Sequence, residues 1–195
     1  YSQGTSNYLG SLEDDGNAEP SSEGGPYTEM EHHWDESFGY FGAAVDYNFY
    51  TDAEIKSPGY KDSNEDGAID FITEYNHGIS KNAAQRDAGA ASGTVDFTKT
   101  IMDAYLEGRT LIHNQADISE ILAQRDIIVN TWEKVIAATV IHYINDTAAD
   151  MAALYPADST AGPTSPLVAD LNKHWGEMRG FTIALQYNDF ALISD

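Results

Sequence analysis

Nine residues, Asp62-Ser63-Asn64-Glu65-Asp66-Gly67-Ala68-Ile69-Asp70, put oxygen-bearing side chains at the first, third, fifth and ninth positions and a glycine at the sixth. This is the spacing of an EF-hand-type calcium loop, in which a hard cation gathers side-chain oxygens and the carbonyl at position seven while the glycine makes the turn. Position twelve of such a loop should be a bidentate glutamate, but Thr73 stands there and Glu74 comes one residue late. If that stretch is helical, one residue turns a side chain by about 100° and advances it by roughly 1.5 Å. The expected ligands are Asp62, Asn64, Asp66, the Ala68 carbonyl, Asp70 and, through a local distortion, Glu74. Binding should fall in the range of extracellular calcium modules, ~10⁻⁴ to 10⁻³ M, with the ion ordering the loop around it. An ion-free acidic turn needs Gly and Asp but not the whole spacing.

A second pattern occurs twice. His33-Trp34-Asp35-Glu36-Ser37-Phe38-Gly39-Tyr40 returns as His174-Trp175-Gly176-Glu177-Met178-Arg179-Gly180-Phe181, both reading His-Trp-x-Glu-x-x-Gly-aromatic. Repetition of two rare residue types points to an internal duplication or a pseudo-symmetric pair of helices. Three residues apart on a helix, His and Glu share a face. Facing helices that contribute such pairs hold metals in bundle proteins, so His33, Glu36, His142, His174 and Glu177 form a candidate second site for iron or zinc. A two-iron site also needs inward carboxylates, for which Glu133 and Glu29 are the candidates. The competing reading makes both motifs packing knots, with ring N–H groups satisfying buried acceptors and Gly39 and Gly180 admitting close helices.

Composition narrows the classes. Against 10 basic residues stand 32 acidic ones, a net charge of −22 that repels nucleic-acid backbones and anionic lipid alike. The hydrophobic content of 42% suffices for a core. No cysteine is present, so disulfides, thiol nucleophiles and Cys-ligated zinc are excluded. No apolar run reaches membrane-spanning length. Metallopeptidase, serine-hydrolase and phosphate-loop motifs are lacking, which favours binding over catalysis.

The elements that must carry these residues are helical. Residues 1–26 read as an irregular arm and 27–195 as a helical-bundle domain, taken as a fragment of a longer protein, with a loop insertion over about 43–95. A Thr28-x-x-Glu31 capping box predicts a helix from Glu29 to Phe41 stopped by Gly42. A short helix is expected near Ser80 to Asp87, and another capped by Asp96 and reaching Ile112. Asp117-x-x-Glu120 opens the longest periodic run, with Ile121, Ile128, Trp132, Val135, Ile136, Thr139, Val140 and Tyr143 on one face, extending to Leu154. After a linker at Pro156 to Pro163, Ser165-Pro166 starts the last helix. The fold class is all-α.

On these residues the chain resembles a known family. Glu29 to Glu36 running into Phe38 to Gly42, then Trp132-Glu133-Lys134 leading to Ile141-His142-Tyr143, then Lys173 to Met178, look like an uncharacterised lipoprotein family of Bacteroidota and marine proteobacteria, DUF4856. The resemblance covers about Tyr27 to Asn188. It implies a helical, extracytoplasmic protein, an outer-membrane lipoprotein in the periplasm or at the cell surface, whose lipid anchor and upstream helical region lie outside this sequence. More distantly, His33 with Glu36 and His174 with Glu177 resemble the Gly-x-His-x-x-Glu signature of imelysins, helical envelope proteins associated with iron uptake, although Glu31 and Asn172 occupy the glycine position. The expected partners are a divalent metal or small ligand and, in a homo-oligomer, other copies of the chain. The expected role is binding in iron acquisition, with a surface assembly protein or a metallohydrolase as alternatives.

Overall fold

The computed structural model describes residues 1–87, 95–154 and 165–192. It is an all-α helical bundle: α1 (Glu29–Phe41), α2 (Asp52–Lys56), α3 (Ile79–Asp87), α4 (Phe97–His113), α5 (Ile118–Leu154) and α6 (Pro166–Ala184). Among the described residues there is no strand, only an isolated antiparallel bridge between Tyr60 and Tyr75. The chain divides into two compact units, Tyr1–Val135 with Tyr187–Asp195, and Ile136–Gln186.

The start of α1 follows from local chemistry. The Thr28 hydroxyl accepts the Glu31 N–H while the Glu31 carboxylate accepts the Thr28 N–H, at 3.2 and 3.0 Å, satisfying two donors that a helix start otherwise leaves open. Gly42 ends the helix in the left-handed region at φ 80°, where a side chain would also strike His77. The buried face of α1 carries Met30, Trp34, Ser37 and Phe41. Trp34 lies over Gly108 of α4, where any Cβ would overlap the indole, and its Nε1–H donates to the Tyr105 carbonyl at 3.0 Å. The Tyr105 ring meets Phe38 edge-on at 5.4 Å, and Phe41 meets Trp132 of α5 edge-on at 5.6 Å. Such offset and edge contacts suit the ring quadrupoles.

Three expectations are corrected. The first 26 residues are not wholly irregular: Gln3–Leu9 is a π-helical turn packed on α1, and Leu9 and Leu12 are fully buried. Within the insertion, Thr51 and Glu54 form a second capping box that starts α2. Gly39 and Gly180 admit no close helix, since a Cβ on either meets nothing within 4 Å; of the glycines inside helices it is Gly108 and Gly4, which lies against Trp132, that are closely approached.

The predicted α5 stripe is the buried one, from Ile121 through Ile128, Trp132, Val135 and Ile136 to Thr139. Asp117 accepts the Ser119 N–H at 2.9 Å at the helix start. Ser165 precedes α6 with Pro166 in its first turn, although the serine side chain makes no capping bond. The linker predicted at Pro156 to Pro163 lies outside the described residues.

Candidate functional site

The Asp62 loop is an amide cage. Asp62 accepts the Asp66 N–H on Oδ1 at 3.1 Å and the Gly67 N–H on Oδ2 at 2.9 Å. Asn64 Oδ1 accepts the same Asp66 N–H at 3.0 Å, and Asp66 Oδ1 accepts the Ala68 N–H at 2.9 Å. Gly67 sits at φ 86° and Glu65 at φ 59°, so the chain reverses through the left-handed region around these oxygens. Asp70 accepts the Ile72 N–H at 2.7 Å, and that bond, first among its causes, holds the carboxyl below its ordinary range.

Glu74 has a role that spacing did not reveal. The chain at Thr73 and Glu74 is not helical. Its carboxylate, in a residue only 3% exposed, turns back into the loop. Oε1 accepts the Ser63 and Asn64 N–H groups at 2.8 and 3.1 Å, and Oε2 accepts the Asp70 N–H at 3.0 Å. Three charge-assisted bonds tie both limbs of the loop to one carboxylate. Protein groups also order its base. Asn76 donates its N–H to the Gly59 carbonyl at 2.7 Å and its Oδ1 accepts the Ala44 N–H at 2.7 Å; Tyr50 donates its hydroxyl to the Glu74 carbonyl at 3.1 Å. Lys61, the cation beside the loop, is taken by Glu54 at 3.0 Å and by the face of Tyr50.

The twin motifs have matching surroundings, each within its own unit. In the first, His33 Nδ1 bonds Asp15 at 2.7 Å, and the Tyr8 ring contacts both His33 at 5.4 Å and Tyr40 at 5.8 Å. In the second, His174 Nδ1 bonds Asp150 at 2.7 Å, and the Tyr143 ring stacks on both His174 at 6.1 Å and Phe181 at 5.9 Å. Each tyrosine precedes its aspartate by seven residues, so a Tyr-x₆-Asp segment pairs with each His-Trp-x-Glu-x-x-Gly-aromatic helix. That second repeat is readable in the sequence, but two shared residue types seven apart in unlike surroundings are too weak a signal to stand out.

The copies differ elsewhere. Ser11 adds a contact to His33 Nδ1 at 2.9 Å, whereas His142 pairs with Asp146 at 3.2 Å. Glu36 is half-buried, and Glu177 has a buried Oε2 without a hydrogen-bond partner. Glu133 is committed to Asn188 Nδ2 at 2.7 Å and the Leu192 N–H at 3.0 Å, and Glu29 to Ser21 and Ser22, each at 2.8 Å or a little more. Among the described residues no three His, Asp or Glu side chains are grouped to hold a metal.

Fold and sites together define an acid-rich, all-α protein in which a Tyr-x₆-Asp segment meets a His-Trp-x-Glu helix twice and an acidic, amide-bonded loop is inserted in the first half. It belongs to the family described as Domain of unknown function (DUF4856), which matches residues 7–162. No curated protein and no solved structure matches the chain.

Proposed function

We propose that this chain is the binding module of an extracytoplasmic protein, with calcium held in the Asp62 loop as a structural ion. The observation that carries the reading is the way both Asp62 oxygens take the amides of loop positions five and six around Gly67 at φ 86°. Asn64, Asp66 and Asp70 stay exposed, and their oxygens, each with a second lone pair beyond the hydrogen bond it accepts, remain able to join a cation of this class. Glu74 is spent on amides, so water completes the shell and affinity stays near ~10⁻⁴ to 10⁻³ M. A site that weak fills where calcium is millimolar, which suits the envelope or cell surface. Isothermal titration of chelator-treated protein is expected to show one calcium per chain, lost in Asp62→Ala and in Asp66→Ala. Heat without saturation, or equal binding by both variants, would sink the reading.

A specific observation favours a second function, transition-metal or ligand capture of the kind found in iron acquisition. In both motifs the aspartate engages histidine Nδ1, which leaves Nε2 as the ring nitrogen a metal would take, and Glu177 adds a buried oxygen in need of a partner. Metal analysis of protein purified without chelator tests it. Stoichiometric iron or zinc that disappears in His174→Ala supports this role; calcium alone leaves the motifs as packing knots.

A further inference from the structure

We infer that the cavity between α1, α4 and Val45 binds a small, neutral hydroxyaromatic molecule, with the ring among apolar walls and the hydroxyl on Asp35. The cavity measures about 170 Å³. Trp34, Met102 and Tyr105 close its base, each at most 2% exposed, while Phe38, Val45 and Leu106 form walls that reach solvent. The polar atoms of the base are already satisfied: the Trp34 N–H donates to the Tyr105 carbonyl at 3.0 Å, and the Tyr105 hydroxyl pairs with Ser37 Oγ at 2.9 Å. Hydrocarbon and ring surface are what remain for a guest. The walls are held in place, since the Val45 N–H donates to the Thr73 carbonyl at 2.9 Å and the Phe38 and Tyr105 rings meet edge-on at 5.4 Å.

Volume and polarity select the occupant. Liquid water would place about five molecules in this space, each in need of two or more polar partners. Beyond the satisfied base, the polar side chains lining it are Asp35 and Arg109 alone. A poorly hydrated apolar space favours an apolar guest, and a cavity of about 150 Å³ holds benzene, so this one is matched to a single six-membered ring with a small substituent. The rim specifies that substituent. Arg109 gives Nε to Asp35 at 2.9 Å and Nη1 to Glu31 at 2.7 Å. Two carboxylates already meet its charge, so an anionic guest gains little in a chain of net charge −22, and a cationic one would face the guanidinium. Asp35 receives Arg109 on Oδ1, which leaves Oδ2 to take the proton of a neutral hydroxyl. The site shares no residue with the Asp62 loop or with the two histidine pairs.

Fluorine NMR of 4-fluorophenol added to the whole chain tests this, with fluorobenzene as the probe that lacks the hydroxyl. Expected is saturable broadening of the 4-fluorophenol signal with Kd tighter than about 5 mM, fluorobenzene at least tenfold weaker, and light scattering that gives the mass of one chain. Leu106→Trp and Val45→Trp each put an indole into the cavity from an exposed wall position, so both should weaken 4-fluorophenol at least tenfold while unfolding stays cooperative. Leu106→Ala should leave its Kd within threefold. No saturable binding, equal binding of the two probes, or undiminished binding in either tryptophan variant that folds would each overturn the proposal. So would a two-chain mass with 4-fluorophenol excluded, which would make the cavity a contact between copies. None of these outcomes depends on calcium.

Discussion

At Glu74 a single carboxylate accepts three loop amides, and a glutamine has one oxygen to offer where the carboxylate has two. Glu74→Gln is therefore expected to leave at least one part-buried loop amide unpaired and to cost about 1 kcal/mol, read by denaturant unfolding. Hydrogen exchange should localise the loss to Ser63, Asn64 and Asp70, while the α1 amides keep their protection. Asp52 shows the opposite electrostatics. Burial, reinforced by Asp87 and Asp96, holds its carboxyl above the ordinary range. The folded state thus keeps that proton more tightly, so stability falls as pH rises from about 3.9 through the folded value. Asp52→Asn should raise Tm at neutral pH, by under about 3 °C because the group is largely solvated. The gain should vanish below pH ~3.9; a gain equal at all pH values would contradict the account.

The helix starts obey rules that act within four residues, and their energies are correspondingly local. Thr28→Ala removes the acceptor for the Glu31 N–H and is expected to cost about 1 kcal/mol. Gly108→Leu acts between elements instead. Its side chain would occupy the volume of the Trp34 indole and drive α4 from α1, a loss of about 1–3 kcal/mol. Near-ultraviolet circular dichroism should register the second change through Trp34 and Tyr105, and the first hardly at all. Both substitutions would test whether the α1–α4 contact is the seat of the tryptophan as described.

Over the whole molecule, calcium bound as proposed would be linked to folding. If the ion binds the folded loop alone, 10 mM calcium over a Kd of ~10⁻³ M stabilises by RT ln(1 + [L]/Kd), about 1.4 kcal/mol, or a rise of roughly 3–6 °C in Tm. Magnesium at the same concentration should give much less, because it demands a smaller octahedral shell. The net charge of −22 adds a background of self-repulsion that any salt screens. Sodium chloride matched in ionic strength is the control, and a Tm rise identical to the calcium one would remove the ion from the account.

Periodicity and caps were sufficient for the boundaries of α1, α3, α4 and α5, because those signals are carried by neighbours in sequence. They missed the buried start at Leu9 and Leu12, whose apolar residues are too few to outweigh the surrounding Gly, Ser and acids. The loop oxygens at Asp62, Asn64 and Asp66 were set by spacing alone, since each bonds amides two to five residues away. Glu74 was readable only as a misplaced ligand; its inward turn depends on a base pinned by Asn76 and Tyr50 from outside the loop. The sequence by itself determined an all-α chain, its twice-occurring His-Trp-x-Glu helix motif and an acidic loop turning at Gly67. Only tertiary structure decided that His33 and His174 lean on aspartates 18 and 24 residues distant, and that Trp34 is sealed by α4 while Trp175 is open. Those choices depend on which helix packs against which, and one-dimensional spacing does not encode that.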